Sequence, residues 1–120
     1  MSDPVKRAWG QYTTLYEGQE FKIKKLEFEV GKHLSLQKHF QWEEFWMFIK
    51  GSGLMTVTLD HKSAWKMPSE VAAGEFVYIN KERWHSFVAN EPTEVIELQI
   101  GICDEEDVVR IEQPEWVPKI

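Results

Sequence analysis

The chain has 120 residues, 42% hydrophobic and 13% aromatic, which suffices for one packed core and leaves no material for a second domain. A formal net charge of −6 disfavours both a nucleic-acid groove and adhesion to an anionic membrane surface. There is no signal-peptide core or bilayer-length apolar run, and Cys103 has no second cysteine to pair with, so the expected protein is soluble and cytoplasmic.

Residues 1–8 are polar and contain Pro4, and read as an arm that orders only by packing on the body or on a partner. Trp9-Gly10-Gln-Tyr12 follows as an aromatic anchor, for one end of a barrel or for a dimer contact. Glu17-Gly18-Gln19 marks a turn, after which residues 21–30 alternate as a strand with one buried face. Beyond Gly31, the side chains of Gln37, His39 and Gln41 lie two positions apart and project from one face of an extended segment. Glu44 then opens an apolar core strand over 45–49, and a tight reversal would return its carboxylate beside the His39 imidazole. Trp46 and Phe48, of the same parity, read as core.

Lys50-Gly-Ser-Gly53 reads as a hairpin turn into a strand over 54–59. The segment 60–63, with His61 as a turn residue, leads to a short strand over 64–67. Pro68 and Ala73-Gly74 punctuate the entry to a strand over 75–79, and strands over 86–89 and 94–100 follow. Residues 104–107 start a helical turn, 108–111 form a last strand, and 112–120 are an irregular tail. Short strands separated by turns give one all-β domain over 1–120, a sandwich or a barrel. His85, on the loop beyond residue 80, supplies a second imidazole that would complete a metal site.

Gly31, Gln37, His39, Glu44 and Gly51 reproduce the spacing of the first cupin motif, with Gln37 where that motif has its first histidine. Gly74 and His85 keep their places in the second motif, while Asn80 and Glu82 replace its proline and glycine and Asn90 falls one position late. The chain thus resembles the cupins. The resemblance implies a double-stranded β-helix, or jelly-roll barrel, with a divalent metal held by Gln37, His39, Glu44 and His85. Further words are Lys22-Ile-Lys-Lys-Leu26, Leu34-Ser-Leu-Gln37-Lys-His39, Glu44-Phe-Trp46, Glu94-Val-Ile-Glu-Leu-Gln99-Ile-Gly101 and Glu106-Asp-Val-Val-Arg110. With Trp9-Gly10-Gln-Tyr12 they are similar, over most of the chain, to the cupin domain of type II mannose-6-phosphate isomerase, often fused to mannose-1-phosphate guanylyltransferase. Where that family has His and Arg after its first motif His, this chain has Gln41 and Trp42. Its usual Asp-any-Tyr-Gly-Arg ending is replaced by Gln113-Pro-Glu-Trp-Val117.

Mixed nitrogen and oxygen ligation of this kind suits zinc, manganese, iron, cobalt or nickel. With Glu44 as its one charged ligand the centre would carry about +1 and attract an anionic or oxygen-rich partner such as a sugar phosphate. The resemblance implies aldose–ketose isomerisation through an enediolate, with Glu44 and His39 at the chemistry. Gln41 is read as a substrate contact or spare ligand. Lys81 and Arg83, on the loop before His85, are read as phosphate contacts, their bland alternative being simple solvation. Lys22 and Lys24 line the mouth or face water. Two other readings share the barrel: a non-catalytic module for a sugar or nucleotide sugar, and a metal-dependent oxygenase. Without a transferase half, guanylyltransferase activity is not expected of these residues. A homodimer is expected, because a small barrel with exposed edges and aromatics such as Trp9, Trp65 and Trp116 has surface to cover.

Overall fold

The computed structural model describes residues 2–60 and 68–111. Eleven strands occur among them: β1 (Val5–Arg7), β2 (Gly10–Gly18), β3 (Phe21–Phe28), β4 (Leu36–Lys38), β5 (Trp42–Lys50), β6 (Ser52–Thr58), β7 (Ser69–Ala72), β8 (Phe76–Ile79), β9 (Trp84–Ala89), β10 (Thr93–Gly101) and β11 (Val109–Ile111). The long ones follow from side-chain alternation. Lys24, Leu26 and Phe28 are buried on β3, Glu44, Trp46 and Phe48 on β5, and Val95, Glu97 and Gln99 on β10, while the intervening residues are more exposed. Strands that bury every second residue must pack that face on something, and here two sheets face each other. One runs β1-β2-β3-β10-β5-β8 and the other β11-β4-β9-β6-β7, all neighbours antiparallel.

The core lies between them. Trp9, Phe28, Trp46, Phe48 and Val95 from the larger sheet and its flank meet Met55, Val71, Phe87 and Ala89 from the smaller. Phe87 sits at the junction, with ring centroids 4.8 Å from Phe28 and 5.3 Å from Phe48. The aromatic core occupies one end of the sandwich, and the polar inward residues Lys24, Glu44, Glu97 and Gln99 line a cavity of about 670 Å³. Two rows of side chains cross the large sheet on this side. Lys22 lies opposite Gln99 and Gln99 opposite Glu44, while Lys24 lies opposite Glu97 and Glu97 opposite Trp46.

Several expectations are corrected. The turn at 50–53 does not close a hairpin, because β5 and β6 belong to different sheets. Gly51, at φ +93°, is the single residue at which the chain crosses over. The extended segment after Gly31 ends at Lys38, because the amides of Phe40 and Gln41 turn to grip the Asp107 carboxylate at 3.2 and 2.8 Å. The N-terminal arm contributes β1 by pairing with β2, and β1, β2 and β7 had no strand expectation. The segment 104–107 closes one turn, the Asp107 amide donating to the Asp104 carbonyl at 2.8 Å. The strand expected over 64–67, His61 and the tail over 112–120 lie outside the described residues. Among the described residues, no helix is long and apolar enough to cross a membrane.

Candidate metal centre

Glu44 is fully enclosed on the inward face of β5, and each of its oxygens has its own indole donor. Trp42 Nε1 donates to Oε2 at 2.8 Å and Trp46 Nε1 to Oε1 at 2.8 Å. Carboxylate orientation is thereby set, and each oxygen retains a lone pair for a further partner. His39 Nε2 stands 3.2 Å from Oε2, and His85 Nε2 stands 3.7 Å from Oε1. One donor atom from each of the three residues falls within 4.8 Å of the others.

The imidazole tautomers follow from the opposite ring edge. His39 Nδ1 lies 2.9 Å from the Asp107 carbonyl and His85 Nδ1 lies 3.2 Å from the Arg83 carbonyl. A carbonyl only accepts, so each Nδ1 carries a hydrogen, and each Nε2 edge faces Glu44. Burial pushes the His85 pKa down against the pull of Glu44, which favours the neutral ligand form. Burial would raise the Glu44 carboxyl, but the imidazoles of His85 and His39 and a hydrogen bond with Glu97 hold it well below the usual carboxylate range. Positive charge at the Nε2 edges therefore stabilises the Glu44 carboxylate, and a cation could supply that charge in place of the ring protons. A divalent cation of the nitrogen- and oxygen-liganded kind fits that donor set, with backbone carbonyls fixing the rings from behind.

Gln37 is buried on the cavity wall and pairs directly across from His85 in the β4–β9 register. Its amide is therefore beside the triad. Gln41 is turned outward, exposed and away from the cavity, because the bend that captures Asp107 reverses its side. Lys81 is exposed and Arg83 half-buried, and neither lines the cavity; the turn that carries them presents backbone to the site instead, through the Arg83 carbonyl and the Glu82 amide, which donates to the His39 carbonyl at 2.7 Å. Glu82, standing where the second motif has glycine, adopts a left-handed conformation at φ 62°. His85 keeps its reach to Glu44 across this substituted loop.

Other cavity residues escaped the reading of the sequence. Trp42, read there as a departure, both binds Glu44 and stacks on His39, with centroids 3.9 Å apart. Trp46 is core, as expected, but its Nε1–H also reaches Glu97 at 3.1 Å. Glu97 is pushed well above the usual carboxylate range by burial and by Glu44. Gln99 is buried on the same wall and its Oε1 has no hydrogen-bond partner among the described residues. The available signal was parity, since Glu97 and Gln99 fall on the inward positions of a strand otherwise carrying Val95 there.

Comparison with known proteins agrees with this architecture. Residues 1–113 match the family model described as mannose-6-phosphate isomerase C-terminal. The chain belongs to this family. A mannose-1-phosphate guanylyltransferase of Sinorhizobium fredii is 31% identical over 112 residues, covering 88% of this chain and 20% of that protein. The alginate biosynthesis protein AlgA of Pseudomonas aeruginosa is 33% identical over 112 residues, covering 90% and 22%. The chain thus spans about a fifth of the length of these curated relatives. A Klebsiella pneumoniae protein with a double-stranded β-helix domain superposes with a TM-score of 0.69 at 12% identity, over 92% of this chain and 86% of that one. The fold is accordingly the cupin double-stranded β-helix, and the His39, Glu44 and His85 cluster is compatible with metal binding.

Proposed function

We propose that the chain is a metal-dependent cupin acting on a phosphorylated sugar, with aldose–ketose isomerisation as its chemistry. The observation that carries this reading is the aim of His39 Nε2 and His85 Nε2 at Glu44 while both Nδ1–H groups are committed to backbone carbonyls. A divalent cation bound there would polarise a carbonyl and the neighbouring hydroxyl. Gln37, paired across from His85 and lining the cavity, is the fourth ligand in this reading, through its amide oxygen. Trp42 and Trp46 keep the carboxylate from rotating, and the unmatched Oε1 of Gln99 accepts a hydrogen bond from a ligand hydroxyl beside Glu44. Glu97, which holds its proton to higher pH than an ordinary carboxyl, keeps a proton within the cavity. Family membership supports the sugar, since the relatives are named for mannose phosphate and alginate chemistry.

The test uses metal-loaded protein with mannose 6-phosphate and with fructose 6-phosphate in heavy water, following exchange at C2 by NMR. Exchange is expected, and is expected to vanish in Glu44→Gln and His39→Ala. Saturable binding without exchange would replace the isomerase with a ligand-binding module, and absence of both would overturn the reading.

A further inference from the structure

The cavity carries more fixed positive charge than the chain around it. Arg7, Lys24, Lys32 and Arg110 line it against Glu44, Glu97 and Glu105, in a protein of net charge −6. Lys24 is the most deeply set of the four, its side chain 7% exposed and its ammonium 4.5 Å from the centre of the Tyr12 ring. A buried ammonium is costly unless it is well paired. Its partner here is a single oxygen, Glu105 Oε1 at 3.1 Å, which Lys22 also approaches at 3.3 Å. Glu105 is 59% exposed and sits between β10 and β11, so a sheltered pair of cations is closed by an acid from the surface. Burial opposes the charge of Lys24, but Glu97 and Glu105 hold its pKa above the ordinary lysine value.

The register sets the distance to the metal centre. Lys22 lies across from Gln99, and Gln99 across from Glu44, which places the lysine strand two strand spacings, about 10 Å, from the ligand strand. Gln99, with its unmatched Oε1, lies between them. We propose that Lys24, backed by Lys22 through their shared Glu105 oxygen, forms the subsite for the phosphate of the ligand, and that Glu105 is a built-in counter-ion that the phosphate displaces. This rests on the sugar-phosphate reading above and assigns that ligand its anionic end. A phosphate presents several oxygens where Lys24 now has one carboxylate oxygen, shared with a Lys22 that also stands 3.7 Å from Glu17 Oε2.

A displaceable counter-ion lowers the apparent affinity by the fraction of molecules in which it is engaged, so its removal has a readable sign. Inorganic phosphate is titrated into the chelator-treated full chain at low salt, with binding followed by calorimetry and by the lysine ε-methylene NMR signals. Wild type is expected to saturate, and Glu105→Gln to bind about three- to tenfold tighter. Lys24→Met, scored only where its spectrum shows a folded chain, is expected to lose saturable binding. In metal-loaded protein the same Glu105→Gln gain should appear for mannose 6-phosphate and not for mannose. No saturation in either wild type or Glu105→Gln, or a Glu105→Gln affinity equal to or below wild type, would overturn the subsite. Because the phosphate titration needs neither metal nor turnover, a subsite that passes while C2 exchange fails would sink the isomerase and leave the subsite standing.

Discussion

Glu44 shows how much of this site is decided by which atom faces which. Its oxygens are divided between two indoles and two imidazoles, so changing one donor changes the aim of the whole group. His39→Ala and His85→Ala are each expected to lose most of the bound metal, read by elemental analysis after purification without chelators or a histidine tag. Full occupancy in both would refute the ligand assignment. Trp42→Phe preserves the ring against His39 but deletes the hydrogen bond to Oε2, and is expected to weaken metal binding about tenfold, measured by competition with a chromogenic chelator. Glu97 offers a pH prediction. Its folded pKa is raised, so folding takes up a proton, and the associated stability is present below the unfolded value and lost as pH rises through the folded one. Glu97→Gln keeps the hydrogen-bonding shape without the charge. The metal-free variant should therefore gain roughly 1–2 kcal/mol over wild type at pH 8, with the gain shrinking toward acid, as followed by thermal melting.

At the scale of strands and turns, the alternating runs are legible in the residues alone, since β3, β5 and β10 each bury every second side chain. What the residues do not reveal is which strands pair. Lys50 to Gly53 carries the composition of a hairpin, and local turn chemistry cannot distinguish a hairpin from a crossing between sheets. The convergence of His39, Glu44 and His85 is legible through spacing, because the motif positions fall on elements that meet at one cavity. The outward turn of Gln41 is not, because it depends on Asp107, which lies 66 residues further along the chain. Lys24 and Glu105 likewise meet across 81 residues. The crossing at Gly51 can be probed directly. A Cβ there would run into Thr93 and the Pro92 carbonyl at a φ of +93°, and Thr93 Oγ1 also accepts from the Ser52 amide at 3.2 Å. Gly51→Ala is expected to cost about 2 kcal/mol, from the positive φ and the clash together, measured as a shift of the urea midpoint at unchanged slope. A wild-type midpoint would show that the crossing relaxes without penalty.

For the whole molecule, the surface that calls for a partner is the outer face of the larger sheet near its β8 edge. Trp9 is not available for such a contact, because its ring packs 4.5 Å from Phe28 within the core. On β5 and β8, Met47 pairs across from Phe76 and Phe45 across from Tyr78, and Met47 is 50% and Phe76 67% exposed. Ile49 extends the same apolar strip, and β8 is the last strand of its sheet among the described residues. An edge that is both apolar and open to pairing invites another chain. A second copy is the occupant proposed here, since antiparallel addition of β8 to its counterpart would continue the sheet and bury both strips at once. Light scattering of the wild type is expected to give twice the chain mass at micromolar concentration. Phe76→Glu combined with Met47→Glu, on the face opposite the cavity, is expected to give the single-chain mass while metal content stays unchanged. A wild type that scatters as one chain would remove the dimer, and a double variant that remains dimeric would move the interface elsewhere.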